Sequence, residues 1–121
     1  MSNRRVGKPK KVVILGIEYS ITYCDKASDV DCNGRVALWG QIDYWTRSIR
    51  VYDGGRSDED IWGTIIHECL HGIGNALNIK PLEALEKEEE DTVGLLALAL
   101  VDVLFRNNWI TRRRDEDRTG L

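Results

Sequence analysis

Both histidines of the chain fall within one five-residue string, His67-Glu68-Cys69-Leu70-His71. The H-E-x-x-H spacing constrains the fold first, because it acquires meaning only on a helix. There, residues i and i+4 lie one above the other, so two imidazoles can grip one zinc ion. Glu68 adjoins the first histidine and can reach a water on the metal as general base. The plain alternative is a surface helix carrying two solvated histidines. The rarity of histidine in the chain weighs against it.

The flanking residues predict that helix. Ser57 with Asp60 reads as a capping box, and Ile61, Ile65, Ile66, Cys69, Leu70 and Ile73 recur at helical spacing. Gly72, Gly74 and Asn75 weaken its far end, and Asn78-Ile79-Lys80-Pro81 closes it and opens a second helix. That second helix is expected to run from about Leu82 to Asn107. Its start is rich in acids (Glu83, Glu86, Glu88, Glu89, Glu90, Asp91), which suit a positive helix terminus. Val93, Leu96, Ala97, Leu100, Val101 and Leu104 then recur with helical period. The remaining faces carry Leu95, Leu98, Ala99, Val103 and Phe105. A helix apolar nearly all round is either buried on several sides or part of a subunit contact; under the second reading it is the surface through which a homo-oligomer would form.

Ahead of the motif the pattern is that of strands. Val12–Leu15 is rich in branched residues, Gly16-Ile17 offers a turn, and Glu18–Tyr23 alternates. Cys24–Gly34 reads as a polar loop. Arg35–Gln41 and Arg47–Tyr52 read as two further strands, joined by a hairpin turn at Asp43-Tyr44-Trp45-Thr46. The fold class expected is α+β: a small, mostly antiparallel sheet packed on the motif helix, with a long C-terminal helix behind.

A chain of 121 residues fits one domain, with residues 1–10 and 111–121 as polar tails. A net charge of −3 offers no general case for nucleic-acid binding. Arg112-Arg113-Arg114, followed by Asp115-Glu116-Asp117, reads as a solvated end. No apolar run reaches the length of a membrane span, and Val12–Leu15 is too short for a signal-peptide core, so the expected location is cytoplasmic. Three cysteines, an odd number, fit reduced thiols in that compartment. Cys24 and Cys32 bracket the acidic stretch Asp25–Asp31, so a disulfide or a second metal site there is the competing reading. Cys69, two residues from each histidine, points away from the metal face.

Two histidines leave a zinc site incomplete, since a catalytic site takes a third protein ligand and keeps one position open. With no third histidine, the ligand is a carboxylate, a cysteine or a group from a partner. Glu86, Glu89 and Glu90 all face roughly the side of the long helix that Val93, Ala97, Leu100 and Leu104 define as its core side.

H-E-x-x-H followed by a glutamate on the next helix resembles the gluzincin metallopeptidases, the thermolysin-like group. The small layout also resembles phage-type and ImmA/IrrE-type metallopeptidases, over roughly residues 12–107. In those families the ligand glutamate is followed at +6 and +7 by a large apolar and a small residue. From Glu90 these are Leu96 and Ala97, so the resemblance implies Glu90 as third ligand, with Glu89 second. Gly94 stands where thermolysin-like enzymes carry an aspartate, and the proline-containing end of the ImmA/IrrE glutamate helix is absent.

The resemblance implies a zincin-like minimal domain acting as a zinc-dependent endopeptidase. His67, His71 and Glu90 would hold Zn2+, with Glu68 as catalytic base then acid. Its partner would be a protein or peptide substrate, paired with an exposed edge of the Arg35–Gln41 strand. Tyr44, Tyr52, Arg47 and Arg50 are the candidates for stabilising an oxyanion. The alternative is a zinc-binding regulatory or assembly protein with little turnover.

Overall fold

A computed structural model describes residues 8–34 and 36–110. The alternation of Tyr19 and Ile21 with Glu18, Ser20 and Thr22 produces a strand with one buried face, β2 (Ile17–Cys24). It forms a hairpin with β1 (Lys11–Ile14) through Leu15-Gly16. Both turn residues have positive φ, 48° and 84°, which matches a tight turn to the twist of the strands. Gly16 thus sits inside the turn, while Ile17 already belongs to β2.

The loop after β2 is polar in composition but not loose. It contains a 3-10 turn at Ala27–Asp29, and Val30 behind it is fully buried. Asp31 Oδ1 accepts from the Asn33 N–H at 3.0 Å and from Gln41 Nε2 at 3.1 Å. Gln41 Oε1 in turn accepts the Cys32 N–H at 2.9 Å. The loop is thereby tied to the next strand.

That strand is β3 (Gly40–Asp43), later and shorter than the Arg35–Gln41 expected. Residue 35 lies outside the described residues. Leu38 donates instead to the Ala27 carbonyl at 3.1 Å, so the chain before Trp39 follows the loop rather than the sheet. β4 (Ser48–Tyr52) follows a turn in which Asp43 Oδ1 accepts the Trp45 N–H at 2.9 Å and Arg47 takes φ 54°. The sheet order is β1-β2-β4-β3. Its outer pairings are antiparallel and its central pairing, β2 with β4, is parallel. β3 is therefore an edge strand.

α1 (Asp58–Leu77) starts where the sequence indicates. Ser57 Oγ accepts the Asp60 N–H at 3.1 Å, satisfying one of the free N-terminal donors. Ser57→Ala is expected to cost about 1 kcal/mol, read as a lower denaturation midpoint at unchanged slope. The helix ends at Asn78, in the left-handed conformation at φ 56°, with its N–H on the Gly74 carbonyl.

The helix expected from Leu82 is two. α2 (Lys80–Glu83) stops at Ala84, φ 54°, and α3 (Lys87–Arg106) begins after Glu86. The buried stripe of α3 is Val93, Ala97, Val101 and Phe105; Leu100 is exposed, and Phe105 lies on the core side. One side of α1 packs Ile61 and Ile65 against Tyr19, Ile21, Ile49 and Val51 of the sheet. Its other side packs Leu70 and Ile66 against Val93 and Ala97 of α3. The motif helix is thus the middle layer of an α+β sandwich.

Of the expected N-terminal tail, residues 1–7 lie outside the described residues, as do 111–121. Residues 8–10 are anchored rather than frayed. Lys8 pairs with Asp53 at 2.5 Å, and the carbonyls of Pro9 and Lys10 accept from Tyr23 Oη and the Ile21 N–H. Among the described residues no helix is long and apolar enough to cross a membrane.

Candidate metal centre

The middle-layer position of α1 gives its wheel three sectors. The sheet and α3 take two; the third carries Thr64, His67, Glu68 and His71 and lines a cleft of about 890 Å³ between β3 and α3. Glu90 enters that cleft from α3 because it lies on the same stripe as Val93, Ala97 and Val101.

His67, His71 and Glu90 converge: one ligand atom from each lies within 4.8 Å of the others. His67 Nε2 contacts Glu90 Oε1, and His71 Nε2 is 3.4 Å from the same oxygen. The imidazoles stand edge to face, with centroids 4.8 Å apart. Among the described residues this is the one His/Cys/Asp/Glu group that could hold a metal ion. Glu89 has no part in it, and neither have Cys24, Cys32 and the aspartates between them. None of the three cysteines is bridged. Cys69 packs on the sheet side of α1, where burial pushes its thiol up to about 11.

The group also fits a metal in its tautomers. His71 Nδ1 lies 2.9 Å from the Leu82 carbonyl, which can only accept. In the neutral ring the proton therefore sits on Nδ1, which leaves the Nε2 lone pair for a metal ion. Leu82 belongs to α2, an element that sequence patterning does not separate from the long helix. It reaches His71 because Gly74 has no side chain: a Cβ there would lie 2.6 Å from Leu82 Cβ.

Glu68 lies deeper than the residues of this cluster, 6 % exposed. Burial is the main influence on its carboxyl, pushing it up to about 7. His71 opposes that shift, Glu90 adds to it, and a hydrogen bond from the Ile42 N–H of β3 also lowers it. The approach of β3 is close enough to require glycine. A Cβ on Gly40 would stand 2.5 Å from Thr64 Cγ2 and 3.1 Å from Glu68 Oε2.

Of the four residues expected to offer a second donor, Tyr44 alone lines the cleft. Burial, then the neighbouring Tyr19, Glu68 and Glu83, push its phenol up to about 12, so it remains a neutral donor. Its hydroxyl donates to the His71 carbonyl at 3.0 Å. The others lie elsewhere: Arg47 in the β3–β4 turn, Arg50 on the Asp29 carbonyl, and Tyr52 edge-on against Trp39. Arg56, which no pattern singles out, forms part of the cleft wall. It donates to the carbonyls of Tyr52 (2.7 Å) and Asp60 (2.9 Å) and to Thr64 Oγ1 (2.8 Å), and its guanidinium stacks 4.3 Å from the Trp39 ring centre. It holds the approach to β3 against the start of α1.

No protein-family model matches the chain, and neither a curated protein nor a solved structure matches it.

Proposed function

We propose that the protein is a zinc-dependent endopeptidase. The observation that carries this reading is the pairing of a two-histidine, one-carboxylate cluster with a buried second carboxylate, Glu68, beside it in an open-sided cleft. His67, His71 and Glu90 are the three ligands. Zinc supplies Lewis acidity there, polarising a carbonyl and bringing the pKa of water to about 7.

The remaining tasks fall to the chain. Glu68 takes the proton of the attacking water and returns it to the leaving amine, from a buried position beside the cluster. Tyr44, once its hydroxyl turns from the His71 carbonyl, is the donor for a developing oxyanion. β3 orients an extended peptide. The Trp39 carbonyl accepts the Tyr52 N–H, so by ladder alternation Gly40 and Ile42 turn their backbone groups away from β4. The Ile42 N–H serves Glu68, and the remaining groups are free to pair with a substrate strand.

The second reading, a zinc-binding assembly protein with little turnover, draws on the apolar outer face of α3. Glu68 argues against it. Burying a carboxylate that ligates nothing costs stability, and metal holding alone does not require it.

The test of the ligand set is metal titration of alanine variants. Glu90→Ala should lose about a hundredfold or more in zinc affinity, since even outer-shell partners are worth 10–100-fold. Glu88→Ala and Glu89→Ala should bind like the parent. Normal binding by all three would remove the third ligand from the assignment.

A further inference from the structure

The face of α3 opposite its buried stripe has no cover among the described residues. Leu95, Leu96, Leu100 and Val103 are between 39 % and 68 % exposed, and Thr92 and Ala99 among them are exposed too. Scattered apolar residues on a surface need no explanation, but a continuous strip along a 20-residue helix marks an interaction site. Its spacing narrows the kind of partner. Glu89, Thr92, Leu96, Ala99, Val103 and Arg106 recur at alternate intervals of three and four, the seam of a helix that packs on another helix at a shallow angle.

We infer that this seam binds a second copy of the chain, α3 against α3, antiparallel about a twofold axis between Leu96 and Ala99. The sequence of the seam is self-complementary in that register. Leu96 meets Ala99 of the second copy, large against small, so the axes can approach closely. Thr92 meets Val103, and Glu89 meets Arg106 at each end.

Charge fixes the direction. The first turn of α3 carries Glu88, Glu89 and Glu90, and the last turn carries Arg106. Parallel packing would set acid on acid; antiparallel packing sets each acidic end on the other copy's arginine and opposes the helix dipoles. Arg106 spends its Nε on Asp102 at 2.7 Å, which leaves its terminal nitrogens for the second copy. Twofold pairing of one patch on itself is the commonest form of oligomer. The stripe carrying Glu90, Val93, Ala97 and Val101 faces the other way, so the dimer leaves the metal cluster clear.

Sedimentation equilibrium of the full chain, from about 1 to 500 µM, should show reversible dimerisation in the micromolar range expected of a small interface. Leu96→Glu and Val103→Glu should each give monomer at every concentration with parental circular dichroism, since both side chains are exposed in the protomer. Arg106→Glu should weaken the dimer about tenfold by setting acid on acid, and adding Glu89→Arg should restore it. Parental protein that stays monomeric overturns the inference. So does a dimer indifferent to the glutamate variants, or one that the double exchange fails to restore.

Discussion

Glu68→Gln should keep its zinc and lose peptide hydrolysis by about 10²–10⁴-fold, the usual worth of a positioned acid–base group. The substitution is nearly isosteric. The glutamine carbonyl oxygen can still accept the Ile42 N–H, so β3 keeps its hold on α1. It also removes a carboxyl that burial penalises, so the variant should melt no lower than the parent. His67→Ala and His71→Ala, by contrast, should lose both metal and activity, because two remaining ligands hold zinc poorly. Metal analysis, melting temperature and peptide cleavage on the same preparations separate the roles. Zinc loss in Glu68→Gln equal to that in His67→Ala would sink the base assignment. Full activity in Glu68→Gln would sink the mechanism while leaving the metal site standing.

Gly74→Ala is expected to destabilise the fold by about 1–3 kcal/mol and to weaken zinc binding by about 10–100-fold, although residue 74 touches no ligand atom. The added methyl would lie 2.6 Å from Leu82 Cβ and 2.8 Å from the Glu83 nitrogen and the Leu82 carbonyl carbon. Most of these are backbone atoms, which no rotamer change can clear, so α2 must move. Moving α2 carries away the carbonyl that holds His71 Nδ1–H. Gly63→Ala on the same helix is the control: its methyl would meet nothing within 4 Å, and alanine is favoured over glycine in a helix by up to about 1 kcal/mol. Denaturant titration of the pair should give opposite signs, and competitive zinc titration should show a loss in Gly74→Ala alone. Parental affinity in Gly74→Ala would show that the Leu82 carbonyl does not govern the ligand.

The histidine pair, Glu68 and the capping of α1 were readable because they depend on intervals within one helix. A period of 3.6 sets which side chains share a face, whatever the helix packs on. The strands were readable for the same reason, at a period of two, and β2 and β4 lie close to where alternation puts them. The start of β3 was not. Val36 and Leu38 are apolar enough for a strand, but Leu38 gives its N–H to the loop carbonyl of Ala27, a partner eleven residues away. The break between α2 and α3 was also hidden. Ala84 adopts a left-handed conformation that alanine does not signal, and Leu82 just before it packs close to Gly74.

Glu90 stands between these cases. Helical spacing restricted the candidates for a third ligand to a few glutamates, and resemblance favoured one of them, but choosing among neighbours 100° apart requires knowing which stripe is buried. The sequence suggested Leu100 and Leu104 as markers of that stripe; packing selects Val101 and Phe105. Glu90 enters the cleft under either set, because Val93 and Ala97 belong to both.

What local intervals along the chain decided, then, is the existence of a two-histidine helix with a glutamate beside the first histidine, since those relations are set by backbone geometry alone. What the tertiary structure decided is everything that depends on one element meeting another. It selects the edge strand whose amide reaches Glu68 and the carbonyl that fixes His71, and among the described residues it leaves the outer face of α3 uncovered. Those relations rest on close approach at Gly40 and Gly74, and a missing side chain carries no periodic signal until its neighbour is known.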